Sequence, residues 1–273
     1  MNQKYQRELT ISLKIAKQAT KAILKIYYSK METKTKDDHT LVTNADILAN
    51  HIIINGLQKA FPKDGIISEE LQDINTKSHR IWYIDPIDGT RSFTEHSDQF
   101  AIHIGLTQKN IPIFGIVYKP VSGEYYYAIK SQGAYCISPL GTKTKLATKK
   151  NQDYQDLSLT ISKDALIIEK WKHIFEALHS KKIMICGSEG LRIMKVAAGI
   201  TDLHTTETPD KCSTWDICAP HIIAQEAGAY ITYIDGTPIT YHQQHKLGKQ
   251  FLVAANKEVA EYARRIIQEK QKG

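Results

Sequence analysis

The sequence predicts an α+β protein in two halves that share one interface, with a boundary near residue 150. The first 30 residues carry a helical repeat of apolar side chains, and strand-like segments separated by Asn, Gly and Pro turn signals follow from Phe100. After the lysine-rich loop predicted at 143–150, strand-like and helix-like segments alternate. We therefore expect residues 1–150 to form an α+β half and residues 151–273 an α/β half.

In the first half, two helices precede the strands. Apolar side chains recur every three or four residues in the first 30 residues and again in 44–59, so both segments are predicted to be helices. The segment between them, KTKDDHTLVTNAD, is polar and is predicted to be a connector. Two short strands, IISEE and IWYID, end in acidic residues, and an antiparallel meander follows in FAIHIGL, IPIFGIVYKP, GEYYYAIK and GAYCI.

In the second half, strands and helices are predicted in turn. The predicted strands are LSLTIS, IMICG, TDLHTT and AYITYIDG. The predicted helices are 165–178, LRIMKVAAG, WDICAPHIIAQEAG and 258–270. No internal repeat is found, so a repeat architecture is not expected.

Composition and cysteine usage favour a cytoplasmic protein with an ample core. The chain has 273 residues, of which 42% are hydrophobic and 24% charged. No apolar stretch approaches the roughly 20 residues of a membrane span, and MNQKYQRELT lacks the pattern of a signal peptide. The four cysteines show no paired spacing, so neither a zinc site nor a disulfide framework is indicated.

The charge of +7 leaves three explanations open. A generally lysine-rich composition, an anionic substrate and a nucleic-acid partner would each account for it. The lysines are dispersed and lack the interleaved aromatic residues of a single-strand binder, so a nucleic-acid partner is the least favoured explanation.

Acidic residues mark the ends of predicted strands and the start of a predicted helix. They are Glu69 and Glu70 in ISEE, Asp85 and Asp88 in DPIDGT, Asp216 in TWDICAP and Asp46 in LVTNAD. Each has a plainer interpretation alone, such as a solvated loop for EE or a helix cap for WD. Together they predict a site for a hard cation, because carboxylates and carbonyls suit Mg²⁺.

DPIDGT is the motif that is hardest to explain as a structural feature alone. Pro86 favours an extended conformation at Asp85, and Gly89 permits a positive φ or the close approach of a ligand. Thr90 is then expected to cap a helix whose free amides face an anion. The nearby His103, by contrast, is interpreted as a strand residue rather than a ligand.

Seven segments in order resemble the inositol monophosphatase family: LVTNAD, FPKDGIISEE, WYIDPIDGTRSF, GIVYKP, GAY, GSEGLRIMKVAAG and WDICAPHIIAQEAG. The resemblance covers most of the chain, from about Thr40 to Gly236. It implies a layered αβαβα sandwich, of the type shared with fructose-1,6-bisphosphatase. It also implies a Mg²⁺-dependent, lithium-inhibited phosphomonoesterase.

By the same resemblance, four of the acidic residues are ligands of about two or three Mg²⁺ ions. They are Glu69, Asp85, Asp88 and Asp216. The first ion would be held by Glu69, Asp85 and the carbonyl of Ile87. The second would be held by Asp85, Asp88 and Asp216, and Glu69 would help to hold a third through water.

The resemblance also assigns the catalytic and phosphate-binding groups. Thr90 and Asp46 are similar to the pair that orients and deprotonates the attacking water. The amides of Gly89 and Thr90 would hold the phosphate, with Asp216 beside the substrate. The implied reaction is direct in-line attack by metal-activated water, without a phosphoenzyme.

The substrate is suggested by WDICAP, GSEGLR and DGTRSF, which resemble the CysQ-type 3′(2′),5′-bisphosphate nucleotidase branch. That branch removes the 3′-phosphate of adenosine 3′,5′-bisphosphate (PAP), a by-product of sulfate activation. By this resemblance Arg192 would bind the second phosphate, with Gly187 and Ser188 beside the ligand. Lys163 stands where the branch often has an adenine-site histidine, so the chain departs from the branch pattern at this position.

Two alternatives remain open. An inositol-1-phosphate or other sugar monophosphatase is disfavoured because the family's substrate glutamate lies seven residues before the WD aspartate, where this chain has Pro209, and Glu207 is out of register. An RNA-associated role is compatible with the basic charge. The resemblance allows either a monomer or a homodimer.

Overall fold

The architecture consists of five layers in which helices and sheets alternate. It is described by a computed structural model that covers residues 4–29, 31–35, 41–150, 154, 156–241 and 245–272. A seven-stranded sheet and a five-stranded sheet are separated by one pair of helices, and further helices cover the outer face of each sheet. This confirms the predicted αβαβα sandwich.

The first layer contains α1 (Gln6–Tyr27) and α2 (Asn44–Ala60), as the apolar period predicts. Their apolar faces pack on the large sheet around Trp82 and Phe114, which are both fully buried. The predicted polar connector does lie between the helices, and its described residues contribute to a short antiparallel pair and to the first residues of α2. This pair is β1 (Thr33–Thr35) with β2 (Leu41–Thr43), and residues 36–40 of the connector lie outside the described residues.

The second layer is the seven-stranded sheet, whose strands lie in chain order. They are β3 (Gly65–Ser68), β4 (Arg80–Asp88), β5 (Ala101–Gln108), β6 (Ile111–Tyr118), β7 (Tyr125–Ile129), β8 (Ala134–Ile137) and β9 (Lys143–Lys145). Only β3 and β4 are parallel within this sheet, so the predicted antiparallel meander is confirmed. The start of the predicted lysine-rich loop is instead strand β9, because pairing with β8 fixes it.

The middle layer contains α5 (Glu189–Ala197) and α6 (Thr214–Glu226). α6 is buried on nearly every side, since the large sheet lies on one side of it and the small sheet on the other. Gly105 and Gly115 face each other on neighbouring strands, directly beneath α6. A Cβ at Gly115 would lie 2.6 Å from the carbonyl oxygen of Ala219, so glycine lets the helix approach the sheet.

The last two layers are the small sheet and its outer helices, α4 (Ala165–Ala177) and α7 (Lys257–Lys272). The strand order is β11 (Ser180–Ile185), β10 (Leu157–Ile161), β12 (Leu203–Thr205), β14 (Phe251–Ala254) and β13 (Tyr230–Tyr233). β14 was not predicted, since the strand is only four residues long. The domain boundary near residue 150 stays a prediction.

Within the described part of the chain, we find no helix with the length and apolar character needed to cross a bilayer.

Gly115→Ala is expected to destabilise the protein by about 1–3 kcal/mol, because the added methyl group overpacks the contact with α6. Thermal unfolding measures this effect. The control is Ile111→Ala on the same strand, where the side chain is 51% exposed. A melting temperature for Gly115→Ala as high as that of the control would contradict the proposed close packing.

Candidate metal and phosphate site

Three predicted metal ligands meet between the large sheet and the middle helices. Asp85 and Asp88 lie near the end of β4, and Asp216 is the third residue of α6. One carboxylate oxygen from each lies within 4.8 Å of the others. The pairing of β4 with β5 shifts register between Asp85 and Asp88. Residues three apart on a regular strand face opposite sides, so this irregularity allows both carboxylates to reach one cluster.

Asp85 is only partly satisfied by hydrogen bonds. Its Oδ1 accepts the Ile87 amide at 2.9 Å, whereas its buried Oδ2 has no hydrogen-bond partner among the described residues. Burial raises the pKa of Asp85 well above its ordinary value, and the charges of Glu69, Asp88 and Asp216 raise it further. A cation is the ligand that such an oxygen fits, because it would satisfy Oδ2 and relieve the repulsion.

Asp216 is in a similar electrostatic position. Its Oδ2 accepts the Ser213 amide at 2.5 Å at the start of α6, which fixes the carboxylate. Burial raises its pKa well above the ordinary value, and the charges of Asp88 and Glu69 add to this shift. Asp85 and Asp216 therefore hold protons more readily than exposed aspartates until a cation compensates their charge.

Asp88 differs because several donors surround it. It accepts hydrogen bonds from the Ser188 hydroxyl, from the Gly190 amide at 2.7 Å and from the Glu189 amide at 3.1 Å. His103 Nε2 lies 3.2 Å from Asp88 Oδ2. Burial alone would raise the pKa of Asp88, but His103, Ser188 and the Gly190 amide together lower it. Asp88 is therefore the member of the cluster that loses its proton most readily.

Glu69 and Ile87 lie at the margin of the cluster. Glu69 follows β3, and its amide donates to the Ile84 carbonyl at 3.2 Å. Its charge raises the pKa of Asp85, although its carboxylate is not within the 4.8 Å group. The Ile87 carbonyl accepts the Thr90 hydroxyl at 3.2 Å. The predicted roles of Glu69 and Ile87 as ligands stay predictions.

The structure brings the predicted catalytic pair together. Thr90 Oγ1 lies 3.3 Å from Asp46 Oδ1 and donates its hydrogen bond toward that carboxylate or the Ile87 carbonyl. The other oxygen of Asp46 accepts the Thr43 amide at 2.8 Å and the Thr43 hydroxyl at 2.5 Å. This is a capping box at the start of α2, so the cap also orients the fully buried Asp46.

The expectation that Thr90 caps a helix was wrong. Gly89 is the N-cap of the short helix α3 (Thr90–Thr94), with φ of 95°, and Thr90 is the first helical residue. A Cβ at Gly89 would lie 2.9 Å from the Gln99 carbonyl oxygen, so both backbone strain and packing favour glycine. The Thr90 side chain is therefore free of capping and faces Asp46.

Gly187 and Ser188 are committed to contacts within the protein. The Gly187 amide donates to Gln99 Oε1 at 2.9 Å. The fully buried Ser188 hydroxyl accepts the Leu191 amide at 3.0 Å as the N-cap of α5, while donating to Asp88. Their predicted contacts with a ligand stay predictions, and the contact shown for Ser188 is its support of Asp88.

Arg192 is buried rather than exposed on the surface of its helix. It pairs with Glu189, and its Nη1 donates to the Cys186 carbonyl at 2.9 Å. Its Nε has no hydrogen-bond partner within the described ranges. Glu189 also lies 2.5 Å from His204 Nε2. Although burial opposes this, Arg192 and His204 lower the pKa of Glu189 to about 2.

Glu207 and Lys163 lie near this group. Glu207 is 7% exposed, and its Oε1 accepts the Ser162 amide at 3.3 Å. Burial raises the pKa of Glu207, and the charge of Arg192 opposes that shift. Lys163, which replaces the histidine expected near adenine, contacts Glu95 Oε2 at 2.5 Å.

Sequence interpretation missed Glu189 and His204 in this region, and it placed His103 correctly on a strand without predicting its contact with Asp88. The spacing of Glu189 and Arg192 on a predicted helix was an available signal, because oppositely charged residues three apart are neighbours. Nothing local marked His103 or His204, since their partners lie on other elements.

The chain is similar to known proteins over nearly its whole length. A profile of the inositol monophosphatase family matches residues 4–272. The chain is 30% identical to the 3′(2′),5′-bisphosphate nucleotidase CysQ of Aggregatibacter actinomycetemcomitans over 85% of this chain and 86% of the relative. It is 29% identical to the inositol-1-monophosphatase of Bacillus subtilis over 87% and 89%. The extragenic suppressor protein suhB of Bartonella henselae shares the fold, with a TM-score of 0.82 at 23% identity over 94% and 97%.

Asp85→Asn is expected to remove metal binding without destabilising the metal-free protein. The change removes one repelling charge and keeps the side-chain shape, so the metal-free melting temperature should stay equal or rise. Wild-type protein should gain about 2.7 kcal/mol when Mg²⁺ is at a hundred times its Kd, and the variant should gain nothing.

Thermal unfolding with and without Mg²⁺ provides the measurement. Glu261→Gln is the control, because it removes one negative charge from the exposed face of α7. An equal Mg²⁺-induced shift in Asp85→Asn and wild type would contradict the assignment of Asp85.

Proposed function

Because the chain belongs to the inositol monophosphatase family, we propose that it is a Mg²⁺-dependent phosphomonoesterase that hydrolyses the 3′-phosphate of PAP to leave AMP. The observation that carries the phosphatase part is the cluster of Asp85, Asp88 and Asp216 together with the Asp46–Thr90 contact. The first three supply charge for a cation, and the last two supply a proton path.

The residues that would hold Mg²⁺ are Asp85, Asp88 and Asp216, with Glu69 and the Ile87 carbonyl at the margin. The unpartnered Oδ2 of Asp85 and the all-oxygen donor set fit a hard cation. When bound, Mg²⁺ would neutralise phosphate charge and lower the pKa of water.

Thr90 and Asp46 would move the proton of the attacking water. Thr90 Oγ1 would accept a proton from the water while its own proton passes to Asp46 Oδ1, 3.3 Å away. The bonds from Thr43 hold the second oxygen of Asp46, so the carboxylate stays oriented during the transfer. The amides of Gly89 and Thr90, at the start of α3, would bind phosphate oxygens.

Similarity to a CysQ-named nucleotidase supports PAP as the substrate. A second phosphate requires a further positive charge. Arg192 would supply it, because it is buried and stands where the CysQ branch has a phosphate-binding basic residue. Its Nη1 binds the carbonyl of Cys186, just before the predicted ligand residues Gly187 and Ser188. Lithium inhibition and a cytoplasmic location belong to the same proposal.

A second candidate is an inositol-1-phosphate or other sugar monophosphatase. Glu207 supports it, because a buried carboxylate near Arg192 could take the place of the family's substrate glutamate. In the sequence, Glu207 lies two residues before the position of that glutamate, which is Pro209 here. The similarity to an inositol-1-monophosphatase is consistent with this candidate.

Phosphate release from PAP and from inositol 1-phosphate, measured side by side, tests the proposal. With Mg²⁺ we expect kcat/KM to favour PAP by about two orders of magnitude, or about 2.7 kcal/mol, and Li⁺ to lower both rates. Asp46→Asn, which lacks the proton acceptor, is the control for contaminating phosphatases. Preference for inositol 1-phosphate would favour the second candidate, and release from neither would reject both substrates.

Arg192→Ala tests how the second phosphate is bound. We expect kcat/KM to fall about tenfold more for PAP than for 3′-AMP, equivalent to about 1.4 kcal/mol, because 3′-AMP lacks the 5′-phosphate. Arg192→Lys keeps the charge and should retain most of this preference. An equal loss on both substrates would contradict the assignment and leave Arg192 as a partner of Glu189.

A further inference from the structure

We propose that His103 is a positioning residue that holds the Asp88 carboxylate in the orientation needed to bind the cation. This inference rests on the metal-dependent function proposed above. It gives a role in the site to a residue that the sequence suggests is only part of a strand.

His103 approaches Asp88 from the sheet. It lies on β5 directly opposite Asp85 of β4, and its side chain is fully buried. The Nε2 atom is 3.2 Å from Asp88 Oδ2. The carboxylate therefore lies between an imidazole from the sheet and the first turn of α5.

The remaining contacts of Asp88 all come from that turn. Ser188 and Gly190 donate to Oδ2, and Glu189 donates to Oδ1 at 3.1 Å. Three groups thus crowd Oδ2, while one amide reaches Oδ1. Rotation of the carboxylate would break these contacts, and Oδ1, which accepts a single hydrogen bond from this turn, would be the less crowded oxygen for a cation.

Gly190 makes room for the imidazole. A Cβ at this position would lie 2.2 Å from His103 Nε2 and 3.0 Å from Pro220 Cγ. The amide of Gly190 also donates to the same Asp88 oxygen that His103 approaches. Side-chain space and backbone hydrogen bonding at Gly190 therefore both serve the contact between His103 and Asp88.

A role in packing alone would not require a polar ring. Both ring nitrogens of His103 are buried, and neither forms a hydrogen bond of standard geometry within the described part of the chain, so an apolar residue of similar size would pack at lower desolvation cost. Among the described residues, the ring forms its ion-pair contact with Asp88, at 3.2 Å from Nε2 to Oδ2. Groups that orient a metal ligand typically change metal affinity by 10–100-fold when removed.

Calorimetric titration of metal-free protein with Mg²⁺ tests this role without using activity. His103→Leu keeps the approximate volume but removes the donor, and we expect Mg²⁺ affinity to fall about tenfold or more. His103→Gln keeps an N–H near the ε position and should bind Mg²⁺ within about threefold of wild type. His221→Leu is the control, since this buried histidine contacts Tyr241 instead.

The outcomes separate this inference from the proposed function. If wild type binds Mg²⁺ and His103→Leu binds it equally well, the inference is overturned and the metal site stands. If wild type does not bind Mg²⁺, both are overturned. Should His103→Leu fail to fold, Gly190→Ala serves instead, because it displaces the ring without removing it, and unchanged affinity there also overturns the inference.

Discussion

Repulsion among three buried carboxylates is the constraint on which the site depends. Two ionised groups 4.8 Å apart repel by about 3 kcal/mol at an effective dielectric constant of about 20. Such a cost is large beside the roughly 5–15 kcal/mol that stabilises a typical domain. Hydrogen-bond donors of the chain compensate Asp88, whereas Asp85 Oδ2 has no hydrogen-bond partner among the described residues. This uncompensated charge is where a cation would be best accommodated.

The scaffold tolerates this repulsion because contacts outside the carboxylate cluster hold the elements that carry the acids in place. α6 is held against the sheet at Gly105 and Gly115, where side chains would exclude it. The start of α5 is tied to β4 through Asp88. Through Glu189 and His204, α5 is also tied to β12 of the small sheet. The middle layer is therefore attached to both sheets at the level of the site.

Charge is distributed unevenly across this layer. Asp85 and Asp216 are acids whose pKa values are raised by burial and by the same charged neighbours. In α5, by contrast, the charge of Arg192 is paired with that of the buried Glu189. A phosphate ester that binds between a cation and Arg192 would meet positive charge on two sides. Glu189 and Glu207 both interact with Arg192, so they would reduce the positive charge that a substrate bound there experiences.

Helices α1 and α2, the meander and the acidic residues of the site could be predicted from the sequence, because they follow from local periodicity and from the chemistry of carboxylates. The family resemblance also grouped Asp216 with Asp85 and Asp88, and their carboxylates do lie together. Tertiary structure accounts for the contact of His103 with Asp88 and for the burial of Arg192 with Glu189. It also decided strand β9, which exists through pairing with β8. Each of these depends on contacts between elements distant in the chain, where packing and charge compensation leave no local pattern.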